Sequence, residues 1–224
     1  METNAPQRTD DWLKARLGKV TASRIADLMA KTKTGYSTSR QNYLSQLVAE
    51  RLTGKPADSY SNAAMQWGTE TEPLARAAYE NSLGIFVMET GFHLHPEIDE
   101  AGASPDGLIE NDGLIEIKCP NTGTHIETLL RRDIPNKYVL QMQWQIACTG
   151  RTWCDFVSYD PRMPMEHQLC IIRHHRDDEL ISKIELEVYQ FLQEIHEIIH
   201  ALRNMQDLNT AVIQGNLSDQ MGCN

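Results

Sequence analysis

The chain has 224 residues, of which 41% are hydrophobic and 23% charged, a composition typical of a folded domain and not of a disordered chain. Its net charge of −10 argues at first against a polyanionic partner, but residues 1–60 carry 10 basic and 6 acidic side chains, so nucleic acid is not excluded. Apolar stretches fall short of the roughly 18 residues of a membrane span, and the first residues lack a signal-peptide core, so we expect a cytoplasmic protein without a membrane partner.

Helical periodicity comes first along the chain and predicts two helices. A short one is capped by Thr21 or Ser23 and carries its apolar residues on one face. A longer one is capped by Ser37 or Ser39 and ends at Gly54, a residue type favoured just past a helix end.

The segment between these two helices is predicted to be a loop, and the segment after them a third helix. Residues 31–35 predict a mobile basic loop, because two lysines alternate with threonines before a glycine. A third helix is predicted over residues 63–82, with Gly84 as its terminator.

In the middle of the chain the hydrophobic period changes from 3.6 to 2, which indicates strands. Asn111-Asp112-Gly113 between two apolar runs is a strong hairpin signal. A helix over residues 135–148 interrupts the strands. The strands are predicted at residues 85–88, 92–95, 107–110, 114–118, 153–159 and 168–174.

The chain closes with a long predicted helix over residues 177–204, whose acidic start suits the positive end of the helix dipole. We therefore expect one domain over residues 1–205 and a flexible tail over residues 206–224. The order of elements predicts an α/β fold, in which a mixed central β-sheet is flanked by α-helices on both faces.

The residues that carry chemistry surround the predicted hairpin. On a strand, Glu116 and Lys118 share one face while the neighbouring isoleucines point to the other. The turn folds the preceding strand back and can bring Asp106 towards the same pair. A buried strand with two charged side chains indicates a site, because buried charges are costly unless they are paired or bind a metal.

Two carboxylates beside a lysine suit metal-assisted hydrolysis of a phosphodiester. Oxygen ligands bind Mg²⁺ or Mn²⁺ and leave positions open for water and a phosphate. The lysine can orient the attacking water, lower its pKa or stabilise the charge that develops. Spacing alone does not decide this, since exposed Glu-x-Lys pairs are common on edge strands.

At this point the sequence resembles a known family. Asp106, Glu116 and Lys118 match the PD-(D/E)xK nuclease pattern, with Pro105 as its leading proline. More closely, the chain is similar to the phage lambda exonuclease family, the YqaJ-like viral recombinases. The matching landmarks are Trp12 with Arg16-Leu17-Gly18, Thr21-Ala22-Ser23, Trp67-Gly68 followed by Glu72, Ser104-Pro105-Asp106-Gly107, Glu116-Ile117-Lys118-Cys119-Pro120, Tyr138 with Gln141 and Gln143, and Tyr159-Asp160-Pro161-Arg162.

The resemblance implies a processive 5′→3′ exonuclease that digests one strand of linear double-stranded DNA to mononucleotides. It implies two Mg²⁺ ions, for which Mn²⁺ can substitute, and a ring-shaped homotrimer. The expected partners are DNA ends with a 5′-phosphate and a single-strand annealing protein that loads onto the 3′ overhang.

Carried over by motif, the resemblance assigns Asp106 and Glu116 as metal ligands, with the backbone carbonyl of Ile117 completing the site. Lys118 assists the nucleophilic water. Glu72 holds a metal-bound water or helps to place the second ion.

The remaining implied roles lie around that centre. Gln141 supports Lys118 and the scissile region, while Gln143 and Gln145 compete for this role. Residues four apart on a helix share a face and residues two apart do not, so Gln141 and Gln145 can act together and Gln143 cannot. The pocket for the terminal 5′-phosphate is assigned to Arg16 and Ser23, and Met65 is a candidate wedge at the point of strand separation.

Three other functions stay open from the sequence. One is a different PD-(D/E)xK nuclease, such as a restriction endonuclease, and another is a catalytically silent module that binds DNA ends. The third is a zinc hydrolase, since His196 to His200 reads His-Glu-Ile-Ile-His and formally satisfies the H-E-x-x-H pattern.

Overall fold

The computed structural model describes residues 2–3, 5–57 and 63–221, with the backbone alone described for residues 2–3 and 206–221. The helices are α1 (Asp10–Arg16), α2 (Ile25–Met29), α3 (Thr38–Thr53), α4 (Ala63–Leu83), α5 (Thr122–Arg131), α6 (Asn136–Thr149) and α7 (Asp178–Met221). The strands are β1 (Glu2–Thr3), β2 (Val20–Thr21), β3 (Lys31–Thr32), β4 (Gly35–Tyr36), β5 (Val87–Met88), β6 (Phe92–Leu94), β7 (Ala101–Ala103), β8 (Gly107–Ile109), β9 (Gly113–Lys118), β10 (Trp153–Tyr159) and β11 (Leu169–His175).

A five-stranded sheet in the order β11-β10-β9-β8-β5 forms the centre of the protein. Strands β9 and β10 run parallel, and the other neighbours in this sheet are antiparallel. A smaller sheet in the order β1-β6-β7-β2 stands beside it. The central sheet is therefore mixed, as predicted.

Helices cover both faces of the central sheet. On one face, Ala75 and Tyr79 of α4 pack on Ile115 and Ile117 of β9. The Tyr79 hydroxyl also donates to Asp155 Oδ2 on β10 at 2.7 Å, which fixes α4 on the sheet. On the other face, α6 packs through the buried cluster Leu108, Leu114, Met142, Ile146, Cys154 and Phe156. The predicted α/β class, with helices on both faces of a mixed sheet, is confirmed.

The predicted hairpin forms between β8 and β9, where Ile109 pairs with Gly113. The left-handed residue is Glu110, with φ 47°, and not the glycine. Gly113 is required for another reason: a Cβ there would lie 2.1 Å from Cζ2 of Trp153. The aromatic ring of the next strand thus lies across the start of β9, the strand that carries the site.

Helix α3 begins and ends as predicted. The Ser37 hydroxyl accepts a hydrogen bond from the backbone N–H of Arg40, and Gly54 ends the helix with φ 65°. The Arg40 guanidinium is buried and binds both carboxylate oxygens of Glu194 on α7. This ion pair joins α3 to α7 beside a core that includes Tyr43, Trp144 and Phe191.

Several local predictions need correction. Neither Thr21 nor Ser23 caps a helix through its side chain, because a 3-10 turn at Ala22–Arg24 precedes α2. Residues 31–35 belong to a short hairpin, in which Lys31 pairs with Tyr36. Helix α7 continues to Met221 and does not end near residue 204.

The side chains of residues 206–221 and the whole of residues 222–224 lie outside the described structure, so the flexible tail over 206–224 stays a prediction. The single domain over residues 1–205 also stays a prediction. Within the described residues, the helices lack the long apolar stretch that crossing a membrane requires.

Candidate active site

The floor of the site is Glu116, which is 0% exposed on β9. Its Oε1 accepts a hydrogen bond from Gln141 Nε2 at 2.7 Å, and its Oε2 accepts one from Gln145 Nε2 at 2.6 Å. The Lys118 ammonium forms an ion pair with the same carboxylate. Two hydrogen bonds and one ion pair therefore stabilise the buried charge of Glu116.

Asp106 enters from the loop before β8, where the hairpin folds back on β9. Its Oδ2 accepts a hydrogen bond from the backbone N–H of Ile117 at 2.6 Å. Burial raises the pKa of Asp106 well above its usual value, and the charge of Glu116 raises it further. Asp106 and Glu116 thus converge at a cost in electrostatic free energy, as two ligands of one cation do.

Lys118 stands over the two carboxylates, with 27% of its side chain exposed. Burial opposes the charge of the ammonium, but Glu116 and Asp106 outweigh burial and raise the pKa of Lys118. Its Nζ also lies 5.1 Å from the centre of the Tyr138 ring. Lys118 is therefore a cation at neutral pH.

This donor set fits a hard divalent cation. Mg²⁺ is commonly bound through one or two carboxylates and keeps several waters. Within the described residues, no three His, Cys, Asp or Glu side chains form a complete metal-binding group. Asp106 and Glu116 would thus be supplemented by the carbonyl of Ile117, by water or by substrate oxygen.

Glu72 lies on α4 at the edge of the same cleft, about 1040 Å³ in volume, which Asp106 and Lys118 also line. Its Oε2 bonds to Arg8 Nη2 at 2.5 Å, and its Oε1 bonds to Arg76 Nη2 at 3.1 Å. Both oxygens of Glu72 are bonded to arginines, and Glu72 shares the cleft with Asp106 and Lys118. Sequence reasoning missed Arg8 and Arg76.

The glutamines of α6 divide as helical geometry predicts. Gln141 and Gln145 both bond to Glu116, whereas Gln143 bonds to the backbone of His175 and Asp177. Gln141 donates to the same Glu116 Oε1 that pairs with Lys118, and its support of Lys118 and the scissile region stays a prediction. Gln145 is a site residue that only its four-residue spacing from Gln141 indicated.

Arg16 is a largely buried cation next to the site. Burial lowers its pKa to about 10, and its guanidinium lies 4.1 Å from the centre of the Trp12 ring. Its Nη1 donates to Ser104 Oγ at 3.2 Å, and the Trp12 indole donates to the same hydroxyl at 2.9 Å. Ser104, which sequence reasoning did not assign, is therefore the hydroxyl at Arg16. Ser23 lies exposed in the 3-10 turn.

The mouth of the cleft is formed by the start of α4 and by Arg162. Met65 is 56% exposed there, and the Arg162 guanidinium lies 4.6 Å from the centre of the Trp67 ring. Asp160 is buried and holds Arg162 through both oxygens. Burial opposes ionisation of Asp160, but the hydrogen bonds from Arg162 and Thr122 outweigh it and lower the pKa to about 2.

The histidines of the alternative zinc pattern have other partners. The His196 ring bonds to the carboxylate of Glu100 and lies 3.2 Å from Arg51 Nη1, and His200 bonds to Asn204. A guanidinium at that distance disfavours a bound metal cation. The geometry therefore does not support the zinc hydrolase.

A comparison with protein-family models shows to which family the chain belongs. The model of the YqaJ-like viral recombinase domain matches residues 11–152, which is more than half of the chain. The chain belongs to the YqaJ-like viral recombinase family. The match includes the residues from Arg16 to Gln145 that form the site.

Solved structures agree with the YqaJ-like assignment. An alkaline exonuclease from Laribacter hongkongensis, LHK-Exo, is 53% identical, with a TM-score of 0.83 over 89% of this chain and 98% of its own. The same enzyme in complex with dAMP is 54% identical, with a TM-score of 0.84 over 89% of this chain and 100% of its own. A search of curated proteins gave no significant match.

A more distant structure shares the fold. A phage-related exonuclease from Haemophilus somnus 129PT is 18% identical, with a TM-score of 0.68 over 82% of this chain and 96% of its own. Together with the convergence of Asp106, Glu116 and Lys118, membership of the YqaJ-like family makes the chain a deoxyribonuclease.

Proposed function

We propose that this deoxyribonuclease is a Mg²⁺-dependent, processive exonuclease that digests one strand of linear duplex DNA from its 5′ end. It releases mononucleotides and leaves 3′ overhangs for recombination by single-strand annealing. The observation that carries the proposal is the contact of Arg16 with Ser104, two residues before Asp106. A terminal 5′-phosphate bound by Arg16 would place the adjoining phosphodiester near Asp106.

The roles of the residues follow from their contacts. Asp106, Glu116 and the carbonyl of Ile117 would hold Mg²⁺, which would supply a Lewis acid for the phosphate and for a bound water. Lys118, kept protonated, would donate a hydrogen bond to the attacking water and offset the charge on the phosphate oxygens. The glutamines Gln141 and Gln145 hold the Glu116 carboxylate in one orientation, and Glu72 would help to place a second ion, with Mn²⁺ able to replace Mg²⁺.

The proposal also includes partners. The substrate is the 5′-phosphorylated end of double-stranded DNA, and dAMP in the related LHK-Exo is a mononucleotide of the kind that such digestion releases. A homotrimeric ring and an annealing protein on the 3′ strand are proposed from membership of the family. Met65, at the mouth of the cleft, is proposed as the wedge that separates the strands, and Ser23 as a further contact of the terminal phosphate.

The decisive experiment is digestion of end-labelled duplex DNA by the purified protein. With Mg²⁺, 5′-phosphorylated linear duplex should shorten from its 5′ ends with release of labelled mononucleotide, and a chelator should stop the reaction. Closed circular DNA should stay intact. Cutting of closed circles would favour an endonuclease, and binding of ends without any digestion would favour a silent module.

Arg16→Ala is expected to reduce the preference for 5′-phosphorylated over 5′-hydroxyl ends by about tenfold, because one charge-assisted bond to phosphate is lost. The measurement is the ratio of initial rates on the two substrates. Arg24→Ala is a matched control, since Arg24 also stacks on an aromatic ring, that of Tyr43, but bonds to Asp27 and Gln46. An unchanged ratio in the Arg16 variant would remove Arg16 from the phosphate pocket.

A further inference from the structure

The segment before α1 is fixed against the site on both sides of Arg8. Gln7 Nε2 donates to the carbonyl of Pro105 at 2.7 Å, next to Asp106, and to the carbonyl of Thr90 at 3.2 Å. Thr9 caps α1 by accepting a hydrogen bond from the backbone N–H of Trp12. Arg8 is held between these two anchors and is directed into the cleft.

The backbone of Arg8 is strained. Its φ is 70°, in the left-handed region that a residue with a Cβ adopts only at a cost in free energy. Such conformations persist where the surrounding contacts enforce them, and they are found disproportionately at functional sites. A glycine would adopt this φ without strain. The reason for an arginine at this position therefore has to lie in what its side chain contacts.

The contact that Arg8 makes in the free protein does not explain why an arginine is kept in this strained conformation. Arg8 Nη2 bonds to Glu72 Oε2 at 2.5 Å, but half of the arginine side chain is exposed, and exposed ion pairs stabilise little. Glu72 already has a second cation, because Arg76 on the same helix bonds to its other oxygen. Arg76 also pairs with Glu89, but its bond to Glu72 leaves that carboxylate with a cationic partner when another anion binds the half-exposed Arg8.

From this geometry we infer that Arg8 binds a backbone phosphate of the DNA strand in the cleft, and that the Glu72 carboxylate occupies that place in the free protein. A guanidinium fork binds carboxylate and phosphate oxygens in the same bidentate manner, so one can replace the other. When DNA binds, the phosphate replaces the Glu72 carboxylate at Arg8, and Glu72 keeps its bond to Arg76. The inference rests on the proposed function only in that DNA enters this cleft.

The first test measures DNA binding in a chelator, where no digestion occurs. Arg8→Gly is the variant, because it removes the guanidinium and relieves the strain at φ 70°. Its dissociation constant for 5′-phosphorylated duplex should rise about tenfold, and the slope of log K against log salt should flatten by about 0.9, the value for one phosphate contact. Its melting temperature should equal or exceed that of the wild type.

The matched control is Lys14→Ala, which removes an exposed cation that pairs with Asp11 at 3.2 Å and does not line the cleft. Its affinity and salt slope should equal those of the wild type. An Arg8→Gly variant with wild-type affinity and slope would overturn the inference.

The second test examines whether a DNA phosphate replaces the Glu72 carboxylate at Arg8. Glu72→Gln should tighten DNA binding several-fold in the chelator, because Arg8 loses its competing carboxylate. In the Arg8→Gly background the same substitution should bring no gain. An equal gain in both backgrounds would show that Glu72 only repels DNA, and would contradict the exchange.

These outcomes are separable from the proposed function. If the wild type shows the expected Arg8-dependent binding but does not digest linear duplex with Mg²⁺, the exonuclease proposal fails and the Arg8 contact stands. If it digests linear duplex and Arg8→Gly binds as the wild type does, the Arg8 contact fails alone.

Discussion

Replacing Lys118 by alanine is expected to lower the turnover of linear duplex DNA by roughly 10²–10³-fold, the usual effect of removing one group that stabilises transition-state charge. Binding of DNA should change by no more than a few-fold, because Lys118 faces the carboxylates Glu116 and Asp106 in the free protein. Single-turnover rates with excess enzyme separate the chemical step from binding.

The alanine variant also leaves Glu116 without its cation, and a buried carboxylate that loses its partner destabilises a fold. Lys118→Gln therefore accompanies it, since an amide keeps a hydrogen-bond donor near the carboxylate while the charge is lost. Its melting temperature should lie closer to the wild type, with the same loss of turnover. An equally active glutamine variant would show that the charge of Lys118 has no part in the chemistry.

Lys137 offers a matched control for this experiment. It lines the same cleft and lies 4.7 Å from the centre of the same Tyr138 ring that Lys118 contacts at 5.1 Å. Among the residues that the structure describes, the cation paired with Glu116 is Lys118 and not Lys137. Lys137→Ala should hold the chemical rate within about threefold, in line with an exposed side chain outside the reacting centre.

The convergence of Asp106, Glu116 and Lys118 was predictable because it depends on local geometry. Residues two apart on a strand share a face, so Glu116 and Lys118 had to project together once the strand was recognised. The Asp112-Gly113 signal located the hairpin that returns Asp106 to that strand. Helical spacing likewise separated Gln141 and Gln145 from Gln143.

The rest of the site depends on contacts between distant segments, which no local pattern encodes. Ser104 meets Arg16 across 88 residues, and Arg8 meets Glu72 across 64. Nothing in the residues around Arg8 indicates a left-handed backbone, since glycine or asparagine is the usual sign of one. Such residues become visible only when the helices and strands have been packed.

The fold shows the same division between long and short elements. The seven-residue strand at Trp153–Tyr159 and the helix from Ala63 to Leu83 carry several periods of their pattern and were predicted nearly in full. The small sheet was largely missed, because strands such as Val20–Thr21 and Ala101–Ala103 are too short to show an alternation. It is nevertheless part of the scaffold beside Ser104 and Asp106.

The Asp106→Asn variant is expected to lose digestion of duplex DNA by at least about 10³-fold, since a carboxylate proposed as a metal ligand becomes a neutral amide. In a chelator the same variant should be more stable than the wild type, because burial and the charge of Glu116 disfavour the ionised Asp106. The melting temperature measures this gain, since each added kcal/mol raises it by about 2–4 °C in a chain of this length.

The sign of this effect with pH follows from linkage. A carboxyl group whose pKa is raised on folding lowers the stability of the wild type as pH rises above its unfolded value of about 3.9, until the folded group has ionised as well. The advantage of Asp106→Asn should therefore be small near pH 4 and larger at neutral pH. Asp112→Asn, on the exposed turn of the same hairpin, should bring neither loss of digestion nor gain in stability.

Mg²⁺ should reverse the order of stability at neutral pH. A cation that binds the folded protein raises the melting temperature of the wild type with increasing concentration, and the asparagine variant should respond far less. Such a reversal would link the disfavoured ionised form of Asp106 beside Glu116 to the proposed binding of a divalent cation, which would remove that penalty. A wild type that gains no stability from Mg²⁺, or an asparagine variant that gains as much, would separate Asp106 from the metal.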